Sequence, residues 1–186
     1  MITASDQNSG STTQSFTITV ANVNDAPTFT STAVTSATED SAYSYTVTTS
    51  DVDSGDTVTL AGTTVPSWLS FNASTGALTG TPLNAHVGNH EVVITATDES
   101  SSSVTQSFTI TVANVNDAPT FTSTAVTSAT EDSAYSYTVT TNDVDVGDSV
   151  TLAGTTVPSW LSFNASTGAL TGTPLNAHVG LSLIHI

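Results

Sequence analysis

The segment Val92-Val-Ile-Thr-Ala-Thr-Asp98 is followed, after a serine-rich turn at 100–103, by Phe108-Thr-Ile-Thr-Val112. In both segments an apolar side chain stands at every second position, with Thr or Val between. This alternation puts the first set of side chains on one face of an extended chain, as in half-buried strands. We therefore predict two long strands at 89–97 and 104–113.

The chain contains an internal repeat with a period of 92 residues. Trp68 returns as Trp160, and Ser15–Gly88 returns as Ser107–Gly180 with only three differences. Such similarity predicts tandem domains. We divide the chain into the C-terminal strands and linker of a preceding repeat (1–26), one complete repeat (27–118), a truncated repeat (119–180) and a non-native tail (181–186). The tail breaks the repeat and resembles a translated sequencing-library adapter; the alternative is a divergent terminus.

The complete repeat shows the same β-type pattern elsewhere, as in Tyr43-Ser-Tyr-Thr-Val47, with turn residues between the segments. Seven strands are predicted, at 28–37, 42–49, 57–62, 68–71, 77–81, 89–97 and 104–113. Seven short strands in one repeat indicate an all-β chain of tandem immunoglobulin-like β-sandwiches. The predicted core consists of Tyr45, Val47, Val58, Leu60, Leu69, Phe71, Leu78, Val92, Ile94, Phe108 and Ile110.

The composition excludes several classes of protein. The 186 residues carry a formal charge of −16 and include no lysine, arginine or cysteine. Nucleic acids and anionic membrane surfaces are held mainly by basic side chains, so neither is an expected partner. Without cysteine there are no disulfides or thiolate metal sites. We also expect no transmembrane segment, because no apolar run approaches the length needed to cross a bilayer.

Carboxylates are concentrated in Asp51-Val-Asp-Ser-Gly-Asp56, which returns as Asp143-Val-Asp-Val-Gly-Asp148. Like charges this close repel by about 1 kcal/mol per pair in water, and by more near a protein surface. The chain has no basic side chain to offset this repulsion. Calcium prefers six to eight oxygen ligands from carboxylates, amides and backbone carbonyls, so the motif indicates a calcium site. The alternative for any single motif is a polar turn.

Strand order predicts where the carboxylates lie. If each strand reverses direction, the loop at 51–56 lies at the same end of the repeat as Asp98 and the entering linker. Glu39 and Asp40 then lie at the other end, beside the exit linker and the next repeat. We predict that these residues form calcium sites at the junctions, with the following ligands: Asn24, Asp25, Glu39, Asp40, Asp51, Asp53, Asp56, Asp98, Asn116, Asp117, Glu131, Asp143, Asp145 and Asp148.

The motifs resemble known extracellular repeats. Asn22-Val-Asn-Asp-Ala-Pro27 is similar to the cadherin linker, Asp51-x-Asp53-x-Gly55 to a cadherin ligand loop, and Ala96-Thr-Asp98 to a further cadherin ligand motif. The block from Pro66 to Pro82 resembles bacterial Ig-like and dystroglycan-type cadherin-like repeats, found in large surface adhesins. The resemblance covers residues 1–180. It implies cadherin-like sandwiches stiffened by calcium.

One departure affects the expected calcium sites. Where cadherins have an acidic ligand motif, this chain has Pro82-Leu-Asn84, without a carboxylate. The resemblance therefore implies fewer calcium ions per junction, or weaker binding.

The expected function is that of a calcium-binding structural repeat in an extracellular or cell-surface adhesin. Its partners would be neighbouring repeats and a surface receptor or glycan. The alternative is a carbohydrate-binding module that uses Trp68 and Trp160 as sugar-stacking platforms; alternation predicts that Trp68 is partly exposed. We do not expect an enzyme, because glycosidase carboxylates face each other across a cleft, whereas these crowd the junctions.

The repeat boundaries also predict self-association. The repeat at 119–180 lacks its last two strands, whereas residues 1–22 contain two such strands. An incomplete sandwich exposes its core and its sheet edges. Head-to-tail strand complementation between two molecules would cover both.

Overall fold

The computed structural model describes residues 1–180 and Ile184, and the chain is all-β, as predicted. The 181–186 tail lies outside the described residues except for Ile184. Residues 1–26 contain the hairpin of β1 (Ile2–Ser5) and β2 (Ser11–Gln14). The complete repeat contains β3 (Thr28–Phe29), β4 (Ser36–Thr38), β5 (Tyr43–Thr46), β6 (Thr49–Ser50), β7 (Thr59–Thr64), β8 (Leu69–Asn72), β9 (Ala77–Gly80), β10 (Gly88–Thr97) and β11 (Ser103–Ala113).

The repeat has more strands than predicted because two predicted strands are each broken in two. The strand expected at 28–37 is β3 and β4, and these have different partners: β3 pairs with β6, and β4 pairs with β11. At the break, the Ser31 hydroxyl accepts the Thr48 N–H at 2.9 Å and hydrogen-bonds the Tyr45 hydroxyl at 2.8 Å. Side-chain hydrogen bonds replace the strand ladder here, so periodicity alone does not predict the break.

The chain divides into two compact units. The first comprises Met1–Thr35, Ser44–Gly80 and Glu91–Ile110, and the second comprises Ser36–Tyr43, Thr81–His90 and Thr111–Ile186. No helix in the described part of the chain has the length and hydropathy of a membrane span.

In the first unit, β7 pairs antiparallel with the second half of β10, and β8 pairs antiparallel with β9. Seven of the predicted core residues are buried: Tyr45, Val47, Leu69, Leu78, Val92, Ile94 and Ile110. The other four are half-buried: Val58, Leu60, Phe71 and Phe108. The sandwich core is thus built mainly from the alternating residues that the sequence indicates.

In the second unit, the end of β11 pairs in parallel with β4. The truncated repeat contributes β12 (Thr120–Phe121), β13 (Tyr135–Thr138), β14 (Thr141–Asn142), β15 (Leu161–Asn164) and β16 (Ala169–Gly172). β16 lies between β13 and β15 in one sheet, and β12 pairs with β14 in another. The core of this repeat is formed by Tyr135, Leu161 and Leu170.

Two sequences are strands in the complete repeat but not in the truncated one. Residues 128–130 repeat the sequence of β4 and residues 151–156 repeat that of β7, yet neither forms a strand apart from one bridge residue at Thr156. β4 pairs with β11, and β7 pairs with β10. Among the described residues, the truncated repeat has no counterpart of β10 or β11. These edge segments need their partners in order to form strands.

The burial of Leu78 can be tested by mutation. Its side chain is 0% exposed, so Leu78→Ala should destabilise the complete repeat by about 2–5 kcal/mol, measured by chemical denaturation. The control is Leu83→Ala, because Leu83 is 55% exposed; it should change stability by less than about 0.5 kcal/mol. Equal effects would contradict the core assignment.

Candidate metal centres

The first acidic cluster consists of Asp51, Asp56 and Asp98. One carboxylate oxygen from each lies within 4.8 Å of the others. Asp51 directly follows β6 and Asp98 directly follows β10. The ends of two strands therefore position two of the three carboxylates. Asp98 is 6% exposed. The Oδ2 atom of Asp51 is buried and has no hydrogen-bond partner among the described residues.

The loop that carries this cluster is shaped by Gly55 and Asp53. Gly55 has φ +101°, which favours glycine because an L side chain is strained there. The Asp53 N–H donates to Asp51 Oδ1 at 2.9 Å. Asp53 Oδ2 accepts the backbone N–H of Asp25 at 2.7 Å. Asp53 is thus turned towards the linker, and its carboxylate holds the linker backbone.

Asn24 connects the linker to the cluster. Its side-chain amide donates to Asp98 Oδ2 at 2.9 Å and to Ser102 Oγ at 3.0 Å. The hydrogen bond from Asn24 to Asp98 is the main reason that the pKa of Asp98 is lowered, and burial of Asp98 opposes this shift. By contrast, burial raises the pKa of Asp56, and the negative charges of Asp51 and Asp53 raise it further. The charge of Asp56 is therefore less well compensated than that of Asp98.

The second cluster consists of Asp143, Asp145 and Asp148, which also have carboxylate oxygens within 4.8 Å of one another. Asp145 is 5% exposed, and both of its oxygens accept hydrogen bonds. Oδ2 accepts the backbone N–H of Asp117 at 2.7 Å, and Oδ1 accepts the side-chain amide of Asn84 at 2.8 Å. The Asp117 N–H is the main cause that lowers the pKa of Asp145. Burial opposes this shift, and the side chains of Asn114 and Asn84 add to it.

Asn84 is a junction residue that sequence reasoning did not place. It opens the 3-10 helix Asn84–His86 of the complete repeat, and its amide reaches Asp145 of the truncated repeat. The sequence shows only that no carboxylate stands at this position. The structure shows that a neutral donor takes up one oxygen of the acidic loop.

The remaining predicted ligands lie outside the two three-carboxylate clusters found among the described residues. Glu39 is 2% exposed, and its Oε2 accepts the Val115 N–H at 3.2 Å, so it holds the exit linker. Asp40 is exposed, with φ 56°, and its N–H donates to the carbonyl of Pro82 at 2.8 Å. Glu131, the counterpart of Glu39, is exposed. Asn116 donates its side-chain amide to the Asp117 carbonyl at 3.0 Å.

The two tryptophans pack within the protein. Trp68 is 8% exposed, which corrects the expectation that alternation leaves it partly exposed. It stands just before β8 rather than within it, so strand alternation does not govern its orientation. Trp160 is half-buried and packs edge-on against Tyr135, with ring centroids 5.7 Å apart.

The donor set of both clusters suits one class of ion. Every ligand atom in them is a carboxylate oxygen, and hard divalent cations such as calcium prefer oxygen. The chain has no Lys or Arg to supply positive charge. The buried Oδ2 atom of Asp51, which has no hydrogen-bond partner among the described residues, is an oxygen that a cation could satisfy. The residues present therefore fit calcium.

Comparisons with known proteins agree with this architecture. The chain is 34% identical over 140 residues to the "Serine-rich adhesin for platelets" of Staphylococcus aureus, covering 75% of this chain but only 6% of that relative. The chain spans a small part of the length of the curated relatives that it matches.

Two solved structures align with parts of the chain. A protocadherin fragment, PcdhgB3 EC1-4, aligns with TM-score 0.55 and 18% identity, over 84% of this chain and 43% of that one. An endo-fucoidan hydrolase of glycoside hydrolase family 107 aligns with TM-score 0.43 and 24% identity, over 83% of this chain and 25% of that one. The first similarity concerns the fold alone, and the second is too weak to support a shared activity.

The family follows from the match along the sequence. The family described as "Putative Ig domain" matches residues 26–113 and 118–186. Together these matches cover most of the chain, and they confirm the Ig-like repeat predicted from the sequence. The chain belongs to the "Putative Ig domain" family.

Proposed function

We propose that this chain is a calcium-binding structural repeat of an extracellular surface adhesin. The observation that carries the proposal is the cluster of Asp51, Asp56 and Asp98, whose carboxylate oxygens lie within 4.8 Å of one another in a chain with no basic side chain. A cation is the group that would stabilise this arrangement.

Calcium would be held by Asp51, Asp56 and Asp98 in the first cluster. It would supply the positive charge that the chain lacks, and would satisfy Asp51 Oδ2. The other ligands needed for six to eight oxygens would come from backbone carbonyls and water. Asp53 has a different role, because its carboxylate accepts a hydrogen bond from the backbone N–H of Asp25 and so holds the linker.

The second cluster would couple calcium to the linker between repeats. Asp145 connects its own loop to two other parts of the chain. Its carboxylate oxygens accept hydrogen bonds from the side-chain amide of Asn84 and from the backbone N–H of Asp117. Calcium bound by Asp143, Asp145 and Asp148 would hold this loop beside the linker and stiffen the junction. Because Asn84 contributes a neutral amide, we expect few ions per junction and affinities of about 10⁻⁴ to 10⁻³ M, as in extracellular modules.

The adhesin part of the proposal rests on the staphylococcal relative, whose name describes an adhesin for platelets. Because this chain matches only 6% of that protein, the platelet ligand is not transferred. The chain would act as a repeat within a larger surface protein. Neighbouring repeats would be its main partners.

The alternative of a carbohydrate-binding module has less support. A sugar-stacking platform needs an exposed aromatic face, whereas Trp68 is 8% exposed. An enzyme is also not proposed, because the buried carboxylates of Asp53 and Asp145 are engaged with linker N–H groups rather than facing a cleft.

Neutralising the second cluster tests the proposal. Asp143→Asn with Asp148→Asn should remove one class of calcium sites in calorimetric titration. It should also reduce the rise in melting temperature that calcium produces. At a free calcium concentration ten times Kd, each site stabilises the fold by about 1.4 kcal/mol. Asp145 is left intact because it holds the linker.

The matched control is Glu91→Gln with Asp132→Asn, which removes the same charge from exposed positions outside both clusters. The control should bind calcium like the unmodified chain. Equal loss of binding in both variants would show only a general effect of charge, and undiminished binding by Asp143→Asn with Asp148→Asn would contradict the site.

The pKa of Asp56 provides an independent test. Burial and the neighbouring carboxylates raise this pKa above its usual value of 3.8, so charging Asp56 costs stability in calcium-free protein. That cost is present above the raised pKa and disappears as the pH falls through it. Calcium should lower the pKa of Asp56 in an NMR titration, because a nearby cation favours the carboxylate. An unchanged pKa at saturating calcium would contradict binding at this cluster.

A further inference from the structure

Each acidic cluster contains one nearly buried aspartate, which is Asp98 in the first and Asp145 in the second. A carboxylate withdrawn from water needs donors or a cation at its oxygens. In Asp98, Oδ1 accepts the backbone N–H of Ser102 at 2.8 Å, and Oδ2 accepts the side-chain amide of Asn24 at 2.9 Å. One oxygen is therefore held by the backbone and the other by an asparagine amide.

Asp145 in the second cluster has the same two kinds of donor. Its Oδ2 accepts the backbone N–H of Asp117 at 2.7 Å, and its Oδ1 accepts the side-chain amide of Asn84 at 2.8 Å. Because a carboxylate only accepts hydrogen bonds, the NH2 end of the Asn84 amide must face it. In each cluster an uncharged amide thus occupies one oxygen of the buried aspartate.

The two donors to Asp145 differ in their freedom to move. The Asp117 N–H belongs to the linker backbone and cannot leave without shifting the linker. The Asn84 amide can turn away by rotation about its own side-chain bonds. The turn that carries it is closed separately, because the Leu83 N–H donates to His86 Nδ1 at 2.9 Å and the His86 N–H donates to the Leu83 carbonyl at 2.7 Å. The amide is therefore the donor that can yield to another ligand.

An amide and a calcium ion have competing demands at the same carboxylate. The amide hydrogens carry a partial positive charge, so they offset part of the negative charge of the cluster. Calcium carries two full charges and binds oxygen at about 2.3–2.6 Å, closer than the 2.8 Å between Asn84 Nδ2 and Asp145 Oδ1. An ion among Asp143, Asp145 and Asp148 would repel the amide hydrogens and compensate the carboxylates more fully.

We propose that the side-chain amides of Asn84 and Asn24 stand in for calcium in the calcium-free protein and are displaced when calcium binds. This inference rests on the calcium sites proposed above. Asp145 keeps its orientation towards the linker in both states, because the Asp117 N–H holds it throughout and either the amide or the ion occupies its other oxygen. The same exchange weakens calcium binding, since the amide hydrogen bond must first be broken.

Alanine at position 84 tests the direction of this effect. Asn84→Ala removes the amide without changing the charge, so calcium has no hydrogen bond to displace. The calcium Kd of the site that Asp143→Asn with Asp148→Asn removes should fall by about tenfold, the equivalent of one hydrogen bond to a charged group. In calorimetric titration, a residue that supported the bound ion would give the opposite sign. Without calcium, Asn84→Ala should melt at a lower temperature, because Asp145 Oδ1 loses its donor.

The matched control is Asn176→Ala. Asn176 opens the equivalent turn, Asn176–His178, and its side chain is exposed. This variant removes the same amide from the same kind of turn, so it should leave both the calcium Kd and the calcium-free melting temperature unchanged.

NMR of the unmodified chain observes the displacement without relying on any variant. The side-chain NH2 resonances of Asn84 and Asn24 should move on calcium addition towards the positions of solvent-exposed amides. Those of Asn176, which is exposed, should stay in place.

Three results would overturn the proposal. One is an unchanged or larger calcium Kd in Asn84→Ala, and another is an equal effect of Asn84→Ala and Asn176→Ala. The third is an unmoved Asn84 amide resonance at saturating calcium, which would leave the proposed calcium site standing. Absence of calcium binding by the unmodified chain would instead overturn the proposed function and this inference together.

Discussion

The pairing of two long central strands is the interaction on which the sandwich depends. β10 and β11 supply most of the fully buried apolar side chains and are flanked by β4 and β7. Where the described part of the chain lacks this pair, in the truncated repeat, the sequences of β4 and β7 form no continuous strands. Edge strands gain their hydrogen bonds and their apolar cover from the centre of the sheet, so they form only when the centre is present.

The second organising constraint is negative charge without any basic side chain. The protein handles part of this charge with neutral donors: Asp53 and Asp145 accept linker N–H groups, and Asn24 and Asn84 donate amides to Asp98 and Asp145. The hydrogen bonds to Asp98 and Asp145 favour their ionised carboxylates and lower their pKa values. Asp56 receives no such compensation, and its pKa is raised. In the first proposed calcium site, the Asn24 amide reaches Asp98, whereas the buried Oδ2 atom of Asp51 has no hydrogen-bond partner among the described residues.

Much of the fold could be predicted from sequence, because alternation identifies strands with one buried face. The strands predicted at 89–97 and 104–113 are β10 and β11, and the predicted core is buried or half-buried. The candidate site was predictable in part. Strand order placed Asp51 and Asp56 near Asp98, but nothing local showed that the Asn84 amide reaches Asp145. Asp40 and Glu131 are exposed and lie outside the clusters. The spacing of residues along the sequence does not show in which direction a loop points its side chains.

The sequence by itself determined the repeat, the β-type pattern, the charge without counter-charge and the identity of the two acidic loops. These are properties of residue type and spacing, which persist whatever the chain packs against. Only the tertiary structure decided which of two identical segments becomes a strand, which carboxylate turns to the linker and which apolar side chains stay in solvent. Ile18 and Ile110 show the difference most directly: the same residue in the same local sequence is 74% exposed in one place and 0% in the other. Burial depends on the surface that a strand meets, and that surface is supplied by residues distant in the chain.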